Sequence, residues 1–243
     1  MSQPLIPRYN LGYITLVVIC ILSLSLNAKH VINKFIYRPP AIKPIFDPKK
    51  DLFMQIRQQE FDLLPIDSNS IVFVGNSLTQ NFNVTEFFKN EDVKNRGIGG
   101  DVTQGVLDRL DEIVQGKPKK IFLEIGINDI LDGISIDTAS NNIDKIITEI
   151  QKGSPKTVIY IQSVLPCNYN YRDPSDKNML ASIINLNKVI ENICVNRNIK
   201  YINLYSHFLN NDGLDVRYDS GDYLHLNGQG YIKWKELIEQ YVN

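Results

Sequence analysis

Ile71-Val72-Phe73-Val74-Gly75-Asn76-Ser77 reads as a strand that runs into a turn. Four apolar residues in succession, rich in β-branched and aromatic side chains, predict a strand buried on both faces. Gly75 ends it, and a helix-compatible segment, Leu78 to Lys89, follows. A serine at such a junction presents its hydroxyl at the carboxyl edge of a sheet. Its backbone N–H points out near a helix start, where partial positive charge favours an anion. That placement suits a nucleophile. Taken alone, the commoner explanation is a turn serine that caps a helix.

Working outward, Asp51 to Leu64 carries an imperfect helical stripe (Leu52, Phe53, Ile56, Phe61, Leu64) and stops before Pro65. A short second strand centres on Val93 and leads into Asn95-Arg96-Gly97-Ile98-Gly99-Gly100-Asp101. Thr103 to Val114 predicts a helix with Val106, Leu107, Leu110, Ile113 and Val114 on one face. Ile121 to Ile125 is a third strand, broken at Gly126 and continuing as Ile127-Asn128-Asp129. Thr138 to Gln151 reads as a helix, Thr157 to Val164 as a fourth strand and Met179 to Asn196 as a helix. Lys200 to Leu204 is a fifth strand, and Tyr231 to Val242 is a terminal helix. The polar loop Pro166 to Asn178, with Tyr169 and Tyr171, is long enough to face a substrate. Strands alternating with helices imply a parallel sheet covered on both faces. Ligands of such sheets bind beyond the carboxyl ends of the strands. Ser77, the Gly97–Gly100 turn, the Asn128 turn and the loop after the fifth strand therefore open on one edge.

Bulk properties exclude several functions. The 243 residues suffice for one well-buried domain and are too few for two large ones. The net charge of −1 offers no field to hold a polyanion, and no basic stripe with interleaved aromatics occurs, so nucleic acid is not an expected partner. Three histidines (His30, His207, His225) form no H-E-x-x-H, and the cysteines form no C-x-x-C, so no metal site is expected. Cys20 lies in an apolar run. Cys167 and Cys194 fit either a disulfide or two buried thiols, and do not settle the compartment.

Three polar signals remain, each with an ordinary explanation. The Gly97–Gly100 turn lacks the third glycine of a dinucleotide fingerprint, Val102 standing in its place. It is either a tight reversal or a place where a backbone N–H can closely approach a ligand. Asn128 in Gly126-Ile127-Asn128-Asp129 is either turn chemistry or a side-chain amide aimed at that ligand. In Asp222-Tyr223-Leu224-His225 a carboxylate three residues before a histidine can hold one ring nitrogen and leave the other as a base. Otherwise the pair is surface chemistry. Asn227 reads as the cap of the terminal helix.

Their order along the chain is more specific than any one of them. Gly75-Asn76-Ser77-Leu78, the Asn95–Asp101 segment, Gly126-Ile127-Asn128-Asp129 and Asp222-Tyr223-Leu224-His225 together resemble the SGNH branch of the GDSL esterase/lipase family, platelet-activating-factor acetylhydrolase-like enzymes among them. The resemblance runs from about Ser70 to the end. It implies a flavodoxin-like three-layer α/β/α sandwich with a five-stranded parallel sheet. Ser77 would be the nucleophile, His225 the base and Asp222 the group that orients it. The oxyanion hole would combine the backbone N–H groups of Ser77 and Gly100 with the Asn128 amide. No cofactor is implied. The family's usual Asp before the serine is Asn76 here, which is expected to change a local hydrogen bond and spare the reaction.

The expected activity is serine ester hydrolysis through an acyl-serine, removing small acyl groups such as acetate from sugars or glycans. Lysophospholipase or thioesterase activity, O-acyl transfer, and glycan binding without catalysis are the alternatives. The partner is an acylated small-molecule, glycan or lipid substrate, and the oligomeric state stays open.

The amino terminus lies outside the resemblance. Leu11 to Leu26 is uncharged and mostly Leu, Ile and Val. As a helix of about 16 residues it would span roughly 24 Å, slightly short of a hydrocarbon core of about 30 Å. It reads as a signal-anchor or the apolar part of a signal peptide, over residues 1–29. Lys29, Lys34, Arg38 and Lys43 follow it and Arg8 precedes it, which by the positive-inside tendency keeps the globular part in the cytoplasm. The short charged head before the run favours export instead, to the periplasm or cell surface, with the membrane as partner if the segment is uncleaved. Residues 30–65 are then linker and leading helix, and residues 66–243 the hydrolase domain.

Overall fold

The strand β1 (Ile71–Gly75) alternates its side chains between two cores. Val72 and Val74 point into one apolar cluster, and Ile71 and Phe73 into the other. The computed structural model describes residues 52–168, 179–211 and 213–243. β1 pairs in parallel with β2 (Val93–Gly97) on one side and β3 (Lys120–Glu124) on the other. β4 (Val158–Gln162) and β5 (Lys200–Ile202) complete a five-stranded parallel sheet of order β2-β1-β3-β4-β5. This is the flavodoxin-like order, whose switch point lies between β1 and β3.

The helices in chain order are α1 (Leu52–Leu63), α2 (Ser77–Gln80), α3 (Val84–Phe88), α4 (Thr103–Asp108) and α5 (Leu110–Gln115). Then come α6 (Ile127–Leu131), α7 (Ile136–Gly153), α8 (Met179–Arg197), α9 (Tyr205–Phe208) and α10 (Gly228–Val242). Helices α4, α5, α7 and α8 bury their apolar faces on the Val72 side of the sheet. Helices α2, α3, α9 and α10 do so on the Phe73 side. On that second face Phe73, Phe122 and Tyr160 stack across three strands, with centroids 4.8 and 4.6 Å apart. Such pairs add about 0.5–1.5 kcal/mol each beyond the area they bury.

Several elements differ from expectation for visible reasons. The helix expected over Leu78 to Lys89 is two short ones, because the chain turns at Asn81-Phe82-Asn83 to bury Phe82. The Asn95 side chain donates to the carbonyls of Thr79 and Phe82 and so takes over the end of the first helix. The helix expected over Thr103 to Val114 breaks at Arg109, whose side chain turns into the core. Ile127-Asn128-Asp129 does not continue the third strand. Gly126 has φ 131, a conformation side chains rarely adopt, and the chain coils into α6. A Cβ on Gly126 would also stand 2.9 Å from Leu186 Cδ2. The β-hairpin of β6 (Leu209–Asn210) and β7 (Gly213–Leu214) was not anticipated.

One compact unit runs from Pro48 to Asn243 and includes α1. Phe61 is buried beneath the guanidinium of Arg96, and Arg57 Nε donates to the Gly97 carbonyl at 3.4 Å. Cys167 and Cys194 lie in the core, and Cys194 is a free thiol, so they form no disulfide with each other. Leu11 to Leu26, Cys20, the linker prolines, Tyr169 and Tyr171 lie outside the described residues. Among the described residues no helix is long and apolar enough to cross a membrane.

Candidate active site

Ser77 opens α2 immediately past the carboxyl end of β1, half-buried. Asn76 caps that turn, its Oδ1 accepting from the Leu78 N–H at 2.9 Å. The Asn76 that replaces the expected Asp thus keeps the acceptor role. From the other end of the chain, the Asp219–His225 loop reaches the same place. His225 Nε2 lies 2.8 Å from Ser77 Oγ, and His225 Nδ1 lies 2.5 Å from Asp222 Oδ2. The Nδ1–H donating to the carboxylate leaves Nε2 as the acceptor facing the hydroxyl.

Asp222 is held by more than the ring. Its Oδ1 accepts from the backbone N–H groups of His225 (2.8 Å) and Leu224 (3.1 Å) and from the Ser220 hydroxyl (3.0 Å). Burial acts to raise its pKa, but the bonds from the His225 backbone and ring and from Leu224 outweigh it. They hold the carboxyl well below the usual carboxylate range. Tyr223, with φ 72, makes the tight loop that turns both side chains inward.

The three expected donors converge on this edge from β1, β2 and β3. Gly100 has φ 76 in a turn closed by Asp101 N–H donating to the Ile98 carbonyl at 3.1 Å. Neither the Ser77 nor the Gly100 backbone N–H donates to another described residue. Asn128 Nδ2 donates one hydrogen to the Asp101 carbonyl at 2.8 Å, which fixes the amide and leaves its second hydrogen for a ligand. A hydroxyl, an imidazole, a carboxylate and three N–H donors on one sheet edge are the parts of an acyl-transfer site.

A family model of GDSL-like lipase/acylhydrolases matches residues 73–232. The chain belongs to that family. This GDSL acylhydrolase is 31% identical over 169 residues to the human platelet-activating factor acetylhydrolase IB subunit alpha2, covering 67% of this chain and 71% of the relative. It is 27% identical over 167 residues to the human alpha1 subunit, covering 66% and 70% of the two chains. The solved structure of a GDSL-like lipase from Bacteroides thetaiotaomicron superposes with a TM-score of 0.69 at 26% identity, covering 78% of this chain and 96% of that one. The protein is an ester hydrolase by family.

Sequence reasoning missed the acylhydrolase's buried polar groups around the site. Arg109 Nε donates to Asp101 Oδ2 at 2.9 Å, and its Nη2 donates to the Gly75 carbonyl at 3.2 Å. Burial acts to lower the Arg109 pKa, and the Asp101 carboxylate opposes it. Asp129 accepts from the Thr103 N–H at 3.0 Å and the Thr103 hydroxyl at 2.5 Å, tying the Asn128 turn to the start of α4. Burial raises the Asp129 pKa against those bonds. Glu124, the last residue of β3, is fully buried, and neither carboxyl oxygen has a hydrogen-bond partner among the described residues. Burial pushes its pKa up to about 8. A lone Glu in the apolar run Ile121-Phe122-Leu123-Glu124-Ile125 was the available signal for it. Among the described residues no group of three His, Cys, Asp or Glu side chains could hold a metal.

Proposed function

We propose that Ser77 is the nucleophile of an esterase that removes small acyl groups, acetate foremost, from the hydroxyls of carbohydrates or glycans. The observation that carries the nucleophile assignment is the 2.8 Å contact between Ser77 Oγ and His225 Nε2, backed by Asp222. Serine is a poor nucleophile near neutrality, so Nε2 takes the hydroxyl proton as Oγ attacks the ester carbon. The carbonyl oxygen gains negative charge, which the N–H groups of Ser77 and Gly100 and the Asn128 amide stabilise. The carbon–oxygen bond to the alcohol then breaks, and His225 returns its proton to the leaving oxygen. Water repeats the attack on the acyl-serine with His225 again as base, releasing the acid and restoring Ser77.

Small acyl groups are supported by the acetylhydrolase name of the 31%-identical relatives. A polar alcohol is supported by a groove of about 460 Å³ beside the nucleophile, lined by Phe53, Ile56, Arg57, Glu60, Gln80, Asn81 and Gly99. A ring face next to a guanidinium, a carboxylate and two amides suits a sugar, which offers one apolar face and a rim of hydroxyls. Gly99 joins groove to site: its N–H donates to Gln80 Oε1 at 2.6 Å, and a Cβ on it would stand 3.9 Å from Ser77 Cβ.

A fluorophosphonate probe should label the folded wild type at Ser77 and leave Ser77→Ala unlabelled. An unlabelled wild type would remove the esterase reading. Against p-nitrophenyl esters of increasing chain length and acetylated sugars, acetate and sugar acetates are expected to be preferred; a preference for long acyl chains would overturn the substrate assignment. The apolar run Leu11 to Leu26 supports an exported or membrane-anchored enzyme. Fractionation of cells making the full chain tests this, recovery wholly from the cytosol being the contrary result.

A further inference from the structure

Arg109 touches two of the three segments that carry the oxyanion donors and reaches the third through one residue. Its Nη2 donates to the carbonyl of Gly75, two residues before Ser77, which also accepts the Ile98 N–H at 3.0 Å. Its Nε donates to the Asp101 carboxylate, and Asp101 directly follows Gly100. The backbone carbonyl of that same Asp101 holds the Asn128 amide. Both charged side chains are almost wholly buried, at 6% and 4% exposure. The carboxylate has room only because Gly105 has no side chain: a Cβ there would come within 1.8 Å of Asp101 Oδ1.

We infer that the Arg109–Asp101 pair is a positioning device that fixes the Ser77, Gly100 and Asn128 donors relative to one another. The inference rests on the esterase reading of that site. Arg109 touches neither substrate nor reacting atoms, so its removal should act on the tetrahedral state and spare ground-state binding. A planar guanidinium can serve Asp101 and the Gly75 carbonyl together, in two fixed directions. A lysine ammonium keeps the charge but is a point donor on a flexible stem, and does not reproduce that fork. Displacement of donors by about 1 Å from a remote change can cost on the order of 100-fold in rate.

The test uses Arg109→Lys and Gly105→Ala, the second of which displaces the Asp101 carboxylate while keeping every charge. Ile146→Val, in the core of α7, supplies a control with a comparable loss of thermal stability. With p-nitrophenyl acetate, kcat should fall about 10- to 100-fold in the first two variants, with KM within about twofold of wild type. The inhibition constant of an alkylboronic acid, which forms a tetrahedral adduct on the serine, should rise by the same factor as kcat falls. If Arg109→Lys does not fold, Gly105→Ala decides. The inference is overturned if the folded variant keeps kcat, if the loss appears in KM alone, or if Ile146→Val loses as much kcat at equal stability. Failure of the wild type to label at Ser77 would remove the esterase reading itself. A labelled wild type beside an unimpaired Arg109→Lys enzyme would reject only the positioning role.

Discussion

Asp222 divides its two oxygens between two tasks. Oδ1 gathers the Ser220 hydroxyl and two backbone N–H groups, which shape the loop, while Oδ2 faces His225 Nδ1. Asp222→Asn can keep the loop's acceptor at Oδ1 but presents an amide N–H to the ring, which favours the tautomer with Nε2 protonated. Esterase activity is expected to fall about 10,000-fold with little change in fold, by steady-state rates and circular dichroism. Asn128→Ala tests a donor instead of a base. It should lower kcat about 100- to 1,000-fold, equivalent to about 2.7–4 kcal/mol of transition-state stabilisation. That these residues would meet on one sheet edge was legible from their place at strand ends and from the restrictive chain order of the four segments. Arg109 and Asp101 as its partner were not. Their significance comes from burial beside one another, and linear spacing carries no trace of that.

At the scale of elements, the strands and long helices were readable because each is amphipathic or doubly buried over many residues. Helix α7 is the clearest, with Ile143, Ile146, Ile147 and Ile150 all inward, as its periodicity predicts. The short helices failed for the opposite reason. Four to six residues hold too little periodicity, and tertiary contacts such as Asn95 on the Thr79 and Phe82 carbonyls set their ends. Packing of α2 against β2 also explains a glycine that turn chemistry alone would assign to flexibility. A Cβ on Gly97 would lie 2.2 Å from the backbone nitrogen of Gln80, a collision no rotamer change relieves. Gly97→Ala must therefore push the helix that begins at Ser77 away from the strand that leads to Gly100. A destabilisation of about 1–3 kcal/mol is expected in denaturant unfolding, with loss of Ser77 labelling. An unchanged unfolding midpoint would mean that the two elements are not in the close contact described.

For the molecule as a whole, Asp222 and Glu124 push the pH dependence of stability in opposite directions. Asp222 is held below its unfolded value, so its contribution is present above the ordinary carboxylate range and is lost as pH falls through the folded value. Its side chain is 42% exposed, so solvent screens much of the effect. Glu124 works the other way. It keeps its proton in the fold up to about pH 8, while in the unfolded chain it gives the proton up near its ordinary 4.5. Between those values the unfolded state loses a proton that the folded state retains, so stability falls as pH rises across the window and levels off above it. The full cost is on the order of 5 kcal/mol. Glu112 and Asp129 are also raised by burial and slope the same way, which makes the comparison of variants the informative one. Glu124→Gln keeps the shape and removes the titration. Its unfolding free energy, measured in denaturant at several pH values, should match or fall below wild type near pH 5 and exceed it by several kcal/mol near pH 8.5. Parallel curves for the two proteins across that range would show that Glu124 does not carry a retained proton in the fold.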